Sequence, residues 1–228
     1  MLLLTTNHQS LIATKTSRIV KEAQGRPVME FGARRAHGIN AAVEGARAAI
    51  IGGAIGTSCT LSAKEFNVPA SGTMAHSWVQ SFDSEYEAFK TYAEIYPDDC
   101  TLLIDTYNTI ESGLPNAIKV FNEVLKPKGY KPKAVRLDSG DLAYLSKKVR
   151  KILDEAGYTE CKICATNSLD EYLIKSLIEQ DAKIDSFGAG ENLITAKSEP
   201  VFGGVYKLVG IEKDTKIIPK IKVSENVV

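Results

Sequence analysis

Three short segments concentrate residue types that chemistry needs. The first is Arg136-Leu137-Asp138-Ser139-Gly140-Asp141, at the end of an apolar run. An arginine meets an anion, a carboxylate accepts from ribose hydroxyls or holds Mg²⁺, and a glycine lets backbone N–H groups approach a ligand. Together they suit a phosphorylated sugar. The same six residues also suit a solvated strand-to-helix turn in which Asp138 or Ser139 caps the helix, and spacing alone does not separate the two readings. The second segment is Gly188-Ala189-Gly190, which reads as a phosphate cradle or as a tight turn. It lacks the third glycine of a dinucleotide fingerprint and the Gly-Lys-Ser/Thr of a P-loop. The third is His76 in Gly72-Thr73-Met74-Ala75-His76-Ser77. A histidine beside two hydroxyls serves as a general acid/base, as a nucleophile that takes a phosphoryl group, or as a plain cap for a helix starting near Ser77.

Other candidates fall away. His8 reads as an ordinary helix residue. Cys161 and Cys164 have redox or zinc spacing, but they lie in a predicted strand and no second Cys/His pair completes a zinc site. The four cysteines are too scattered for a disulfide framework, which points to a reducing cytoplasm. The basic run from Lys126 to Lys133 is broken by Pro127, Gly129 and Pro132 and reads as a loop. Lys plus Arg number 28 and Asp plus Glu number 28, so the chain offers no general field for nucleic acid or a membrane surface. No apolar stretch approaches the roughly 20 residues of a bilayer span, and Met1-Leu2-Leu3-Leu4 turns polar too soon for a secretory signal. With 228 residues, 44% hydrophobic and 25% charged, the expectation is one continuous domain with a large core.

The elements that must position these residues alternate. Helices are predicted over Ser10 to Ala23, from an Asn40 N-cap to about Ile51, around Ser62 to Phe66, and over Ser84 to Tyr96. Further helices are expected from Pro115 to Gly129, from Leu142 to Gly157, and through Leu169, Leu173 and Leu177. Strands are expected at Val28 to Phe31, Val68 to Thr73, Thr101 to Asp105, Ala134 to Leu137, Cys161 to Ala165, Ile184 to Phe187 and Val205 to Ile211. This alternation implies a parallel α/β architecture. Polar residues stand at the ends of consecutive strands (Arg34/Arg35, His76, Asp105, Arg136/Asp138, Asn167, Gly188/Gly190), which favours a barrel over a doubly wound sheet, whose site draws on few strands.

In order and spacing, Glu30-Phe31-Gly32-Ala33-Arg34-Arg35-Ala36-His37-Gly38, Gly72 to Ser77, Asp105-Thr106-Tyr107, Val135 to Asp141, Phe187 to Gly190 and Val205-Tyr206-Lys207-Leu208-Val209 resemble the nicotinate phosphoribosyltransferases along nearly the whole chain. The resemblance implies an irregular TIM-like α/β barrel of the type II phosphoribosyltransferase kind. In that picture residues 1–25 form a leading helix, 26–211 the barrel, and 212–228 the start of a following segment. It implies transfer of the 5-phosphoribosyl group from 5-phosphoribosyl-1-pyrophosphate (PRPP) to nicotinate, giving nicotinate mononucleotide and pyrophosphate for NAD synthesis. ATP would be a co-substrate acting through a transiently phosphorylated His76, with Mg²⁺ required, in a cytoplasmic homodimer with a shared active site. Arg136 and Asp138 would act in the transfer, with Phe31, Arg35, Thr73, Ser77 and Arg136 around nicotinate. Arg34, Asp138, Ser139, Gly140, Asn167, Gly188, Gly190 and Thr195 would face PRPP and its phosphates. Which residues would hold the metal is left open.

Two departures stand out. Glu191 follows the second glycine where relatives often carry a small hydroxyl residue, and a carboxylate beside a phosphate is unfavourable. The chain also matches only the middle of the family, whose N-terminal segment supplies an aromatic residue across a dimer interface. The rivals are a nicotinamide phosphoribosyltransferase, the more distant quinolinate enzymes, and a non-catalytic barrel fragment that binds PRPP or nucleotide. Nicotinamide-using relatives place an aspartate at the position of Ser58, and an uncharged Ser58 favours the acid substrate.

Overall fold

The runs around Leu102, Val135, Ile163 and Phe187 become the fully buried centre of one sheet in the computed structural model, which describes residues 1–222. Six strands take part: β1 (Val28–Glu30), β2 (Gly56–Thr57), β3 (Thr101–Leu103), β4 (Ala134–Leu137), β5 (Lys162–Ala165) and β6 (Ser186–Ala189). All neighbours are parallel, in the order β2-β1-β6-β5-β4-β3. Covering both faces of parallel strands requires crossover helices, and these are α1 (Leu2–Glu22), α2 (Ile39–Ile51), α3 (Thr60–Phe66), α4 (His76–Gln80), α5 (Glu85–Ile95), α6 (Leu114–Val120), α7 (Leu142–Glu155), α8 (Glu171–Glu179) and α9 (Glu191–Ile194). No helix among the described residues is long and apolar enough to cross a membrane.

The sheet is curled. β1 and β4 stand three places apart, which in a flat sheet is about 14 Å. Yet the Arg136 guanidinium of β4 lies 5.8 Å from the centroid of Phe31, the residue after β1. The expected barrel is therefore present as an open, irregular one. Its seam lies between β3 and the far edge of β2, where Ala70 makes a single parallel bridge to Thr57. The following segment crosses the mouth of the seam: the Thr73 hydroxyl and the Met74 carbonyl accept from Arg136, and His76 meets Thr106 just beyond β3.

Local chemistry explains most boundaries. Ser84 caps α5 by accepting from Glu87 N, and Asp170 caps α8 by accepting from Leu173 N at 2.8 Å. That cap turns Glu171, Ile174 and Leu177 inward and leaves Leu173 37% exposed, so of the expected Leu169/Leu173/Leu177 face Leu169 and Leu177 are buried and Leu173 is not. The expected Asn40 cap is also replaced. Gly38, at φ 111°, occupies the N-cap and the helix starts at Ile39. The first helix begins at Leu2 rather than Ser10, since Leu2 to Gln9 simply extend the same helix. Around Pro115 the helix runs through wider turns, Thr109–Gly113 before α6 and Phe121–Leu125 after it. Gly113 lies against the Ile104 carbonyl with no room for a Cβ.

Two strand expectations change, and one strand, β2, is not among those expected. Val68 to Thr73 shrinks to the Ala70 bridge, because Pro69 has no N–H to donate. The two-residue β2 carries a glycine and gives no periodic signal. Val205 to Ile211 is not a sheet strand. Residues 201–209 are exposed and belong to no helix or strand, and only at Gly210 does a strand, β7 (Gly210–Lys213), pair antiparallel with β8 (Lys216–Pro219). Asp214 and Thr215, at φ 51° and 65°, make the two-residue turn that favours this hairpin over a return to the sheet. Of the expected 212–228 segment, 223–228 lie outside the described residues.

Helix α1 is pinned by a buried charge pair. Lys15 Nζ lies 2.6 Å from Glu171 Oε2 on α8 without hydrogen-bond alignment, and the side chains are only 4% and 7% exposed. Removing one partner of such a pair leaves the other charge buried and costs about 3–5 kcal/mol. Lys15→Met is expected to lower unfolding stability by that amount in urea titrations, and Lys15→Met with Glu171→Leu to recover most of it. A single variant as stable as the parent would show that the pair does not hold α1.

Candidate active site

Asp138 is the centre of the polar residues at the C-terminal end of the sheet. Its Oδ1 accepts from Arg136 Nη2 at 3.1 Å and from the Thr166 hydroxyl, and its Oδ2 lies 3.4 Å from His76 Nε2. Its backbone N–H donates to Asp105 Oδ2 at 2.8 Å, and the same oxygen accepts from Ser139 Oγ at 2.6 Å. Burial pushes the Asp138 carboxyl upward, but the Thr166 hydroxyl, the Arg136 charge and His76 outweigh it and hold the group below the usual aspartate value. Neither Asp138 nor Ser139 caps the next helix. Asp141 does, accepting from Tyr144 N at 3.0 Å, which leaves Asp138 to the site.

Arg136 is equally committed. Its Nε donates to Thr166 Oγ1 at 2.9 Å and its Nη1 to Thr73 Oγ1 at 2.8 Å, while its face lies over Phe31. His76 is the first residue of α4, and its ring reaches inward to Thr106 and Asp138 instead of capping. Behind Phe31, Glu30 is fully buried. It accepts from Gly32 N and, at 2.5 Å, from Thr57 Oγ1, so one carboxyl group fixes the turns after β1 and β2. Burial pushes Glu30 above the usual glutamate value despite those bonds.

Two cavities share the wall made by Phe31, Arg34, Arg136 and Asp138. A cavity of about 140 Å³ is also lined by Arg35, Thr166, Asn167, Ser168, Gly188, Gly190 and Glu191. A larger one, about 560 Å³, adds Ser58, Thr73, His76, Ser77 and Leu103 among others. Arg34 faces both and makes no salt bridge among the described residues. A Cβ on Gly188 would meet the Phe31 ring at 2.6 Å and Thr166 Cγ2 at 2.7 Å, so glycine there lets β6 pass beneath the site. Glu191 does not stand as a bare charge, since Arg35 Nε lies 3.6 Å and Lys197 Nζ 3.8 Å from its carboxylate.

Most residues singled out in the sequence thus meet around these cavities. Ser139 and Gly140 support the turn without lining either one, and the Thr195 hydroxyl donates to the Glu191 carbonyl. Asp105 stands among the polar strand ends, and Glu30 and Thr106 lie within the segments that carry the resemblance, but the sequence assigns a site role to none of these three or to Thr166. The signal available for them was a polar residue at or just after each strand end. The four cysteines are buried and free, and burial pushes the Cys161 thiol up to about 12, as expected of core residues.

Residues 27–223 match the model of the nicotinate phosphoribosyltransferase (NAPRTase) family. The chain belongs to that family. It is 52% identical over 96% of its length to nicotinate phosphoribosyltransferase of Bacillus subtilis, and 46% identical over 90% to a Mycobacterium tuberculosis enzyme of the same name. It covers 44% and 43% of those proteins, so it spans less than half the length of the curated relatives it matches. Among solved structures, human nicotinic acid phosphoribosyltransferase superposes with a TM-score of 0.77 at 26% identity, over 83% of this chain and 48% of that one. A Pyrococcus furiosus nicotinate-nucleotide pyrophosphorylase gives 0.73 at 30%, over 86% and 49%. The open barrel is therefore this family's phosphoribosyltransferase fold.

The two perturbed carboxyls make opposite pH contributions. Glu30, raised above 4.5, adds stability that is fully present below that value and lost as pH rises through its folded pKa. Asp138, lowered below 3.8, adds stability present above that value and lost as pH falls through its folded pKa. Glu30→Gln keeps an acceptor for Gly32 and abolishes ionisation. Its stability relative to the parent is expected to rise between pH 4 and pH 8 in urea titrations. A pH-independent difference would mean that Glu30 ionises in place without cost.

Proposed function

We propose that this chain carries the phosphoribosyl-transfer site of a nicotinate phosphoribosyltransferase, converting nicotinate and PRPP to nicotinate mononucleotide and pyrophosphate. The supporting observation is the shared wall, which sets a cation–carboxylate pair between a small polar cavity and a larger, partly apolar one. In this reading the smaller cavity takes the 5′-phosphate, among Gly188, Gly190, Asn167 and Ser168 with Arg34 and Arg35 at hand. The larger takes the pyridine ring against Phe31. Attack of the ring nitrogen on the anomeric carbon breaks the bond to pyrophosphate and builds positive charge on the ribose ring. The ionised Asp138 stabilises that charge and the ribose hydroxyls, and Arg34 and Arg136 face the departing or carboxylate anions.

Mg²⁺ belongs to this reading. Among the described residues no group of three or more His, Cys, Asp or Glu could hold a metal ion. The chain instead offers Asp105, whose buried Oδ1 has no hydrogen-bond partner, and Asp138 on the neighbouring strand end. Two carboxylates fit a Mg²⁺ bound mainly through substrate phosphates and water, and the ion would offset charge on pyrophosphate. ATP coupling through His76 is supported by the position of the ring beside Asp138. A homodimer that completes the site is supported by the larger cavity, where Phe31 is the sole aromatic lining residue and one face of a bound ring is left for another wall. A cytoplasmic location is supported by the four free cysteines.

Pyrophosphate release on adding nicotinate to the chain with PRPP and Mg²⁺ tests the reading directly. PRPP-protected unfolding with no release would instead mark a binding fragment. His76→Ala is expected to abolish phosphoenzyme formation and ATP stimulation while leaving slower, ATP-independent transfer. Normal ATP coupling in that variant would refute the role. Ser58 lines the ring cavity without charge. Ser58→Asp is expected to raise KM for nicotinate tenfold or more, about 1.4 kcal/mol, through repulsion of the carboxylate. An unchanged KM would place the carboxylate elsewhere.

A further inference from the structure

The smaller cavity is walled in part by two neighbouring loops. Asn167 and Ser168 follow β5, while Gly188, Gly190 and Glu191 end β6 and begin α9. The first of these loops is strained, with Asn167 at φ 86° and Ser168 at φ 49°. Asparagine tolerates the left-handed region, but a serine beside it does so at a steric cost. Both residues are exposed, and neither makes a backbone-to-backbone hydrogen bond among the described residues. The bond that restrains them comes from a side chain: Asn192 Nδ2 donates to the Ser168 carbonyl at 2.6 Å.

Asn192 is placed as an anchor. It is buried in α9 together with Leu193 and Ile194. Ile194 fixes this short helix, because it packs so closely on Gly32 and Gly45 that a Cβ on either would meet its side chain at 2.6 Å. The orientation of the Asn192 amide is set as well, since the opposite one would turn its oxygen toward the Ser168 carbonyl. Its Oδ1 is buried and has no hydrogen-bond partner among the described residues. An unmet buried acceptor costs stability, so an apolar residue of the same shape would suit the core better. What the asparagine adds is the one bond across to the loop after β5. It lines neither cavity itself.

We propose that Asn192 is a positioning residue for the phosphate end of the substrate: by holding the Ser168 carbonyl it keeps Asn167 and Ser168 in their left-handed conformation, so that the loop after β5 stands ready around a phosphate monoester. The proposal rests on the reading of the smaller cavity as the 5′-phosphate site. A loop already in place loses little conformational freedom when the phosphate arrives. The effect therefore belongs to affinity for the phosphate and leaves the contacts to the base and ribose alone.

Calorimetric titration of the chain with nicotinate mononucleotide and with nicotinate riboside, which lacks only the phosphate, tests this. In Asn192→Leu the affinity for the mononucleotide is expected to fall at least tenfold, and that for the riboside to stay within twofold of the parent's. Asn192→Ala adds no bulk and serves the same comparison if leucine is not accommodated. Adding Ser168→Gly to Asn192→Leu is expected to regain threefold or more, because glycine takes a positive φ at no steric cost. Equal losses for the two ligands, no loss, or no regain with the glycine would overturn the proposal. Proton spectra of the ligand-free, ¹⁵N-labelled chain give an independent reading. The strong intraresidue Hα–HN contact of a left-handed residue is expected at Ser168 in the parent and weakened in Asn192→Leu, and its survival there would also overturn the proposal. A parent that binds the two ligands alike, or neither, refutes the reading of the smaller cavity and the proposal with it. A parent that prefers the mononucleotide, with Asn192→Leu preferring it equally, refutes the role of Asn192 alone.

Discussion

The ionised carboxylate of Asp138 is the constraint around which the open end of this sheet is arranged. A carboxylate drawn partly out of water is costly unless its oxygens are met by donors or positive charge. Here the partners come from three places in the chain, Arg136 within β4, Thr166 after β5 and His76 at the start of α4, while the Asp138 backbone N–H donates to Asp105 at the end of β3. Satisfying one charge therefore joins strand ends that the backbone ladder alone would leave splayed. The same bonds draw the 72–77 segment across the seam, where no ladder among the described residues closes the barrel.

That arrangement also divides the concave face. Arg136 spends its nitrogens on Thr166, Thr73 and Asp138 while lying against Phe31, so it acts as a fixed partition. A guanidinium is suited to this because its donors are planar and diverge in set directions, where a lysine would offer a mobile point charge. The exposed positive charge is Arg34, which faces both cavities without a carboxylate partner among the described residues. A rigid cation that orients and an exposed cation that attracts are different tools, and the two arginines are placed accordingly. Glu191 fits this division, since its pairing with Arg35 and Lys197 removes most of its repulsion toward an anion in the smaller cavity.

The sequence made the alternation of elements and the polar strand ends legible because both are local: apolar runs of four to six residues, then a carboxylate, arginine or glycine. It did not show which of two aspartates three residues apart would cap α7. Asp141 takes the cap, and the release of Asp138 follows from contacts with residues 28 to 62 positions away. Thr166 is silent for the same reason, and Thr106 shows only as part of a longer segment, since a threonine beside a strand end is ordinary until the partner strand is known. Val205 to Ile211 misled in the opposite direction. Its β-branched and aromatic residues read as a strand over all seven positions, but the left-handed pair Asp214 and Thr215 provides a nearer, antiparallel partner for its last residues alone. Glu30 shows the limit of composition, because a glutamate flanked by Met29 and Phe31 gives no sign that it is the buried clamp of two turns.

Phe31 connects the clamp to the partition. Its backbone is set by Glu30 through Gly32 N, its ring lies against Gly188, and its face meets Arg136. An aromatic wall held on three sides keeps its rotamer when a flat ring docks, so little conformational entropy is lost at binding. A ring stacked on Phe31 would still expose its other face to the larger cavity. Phe31 thus presents one rigid aromatic wall to the larger cavity together with the charged groups beside it. In the proposed transfer, chemistry at the anomeric carbon would rest on those charged groups and contact with the pyridine ring on the aromatic wall. The Arg136–Asp138 pair is set by bonds to Thr166 and Thr73, so its geometry does not wait on a docked ring.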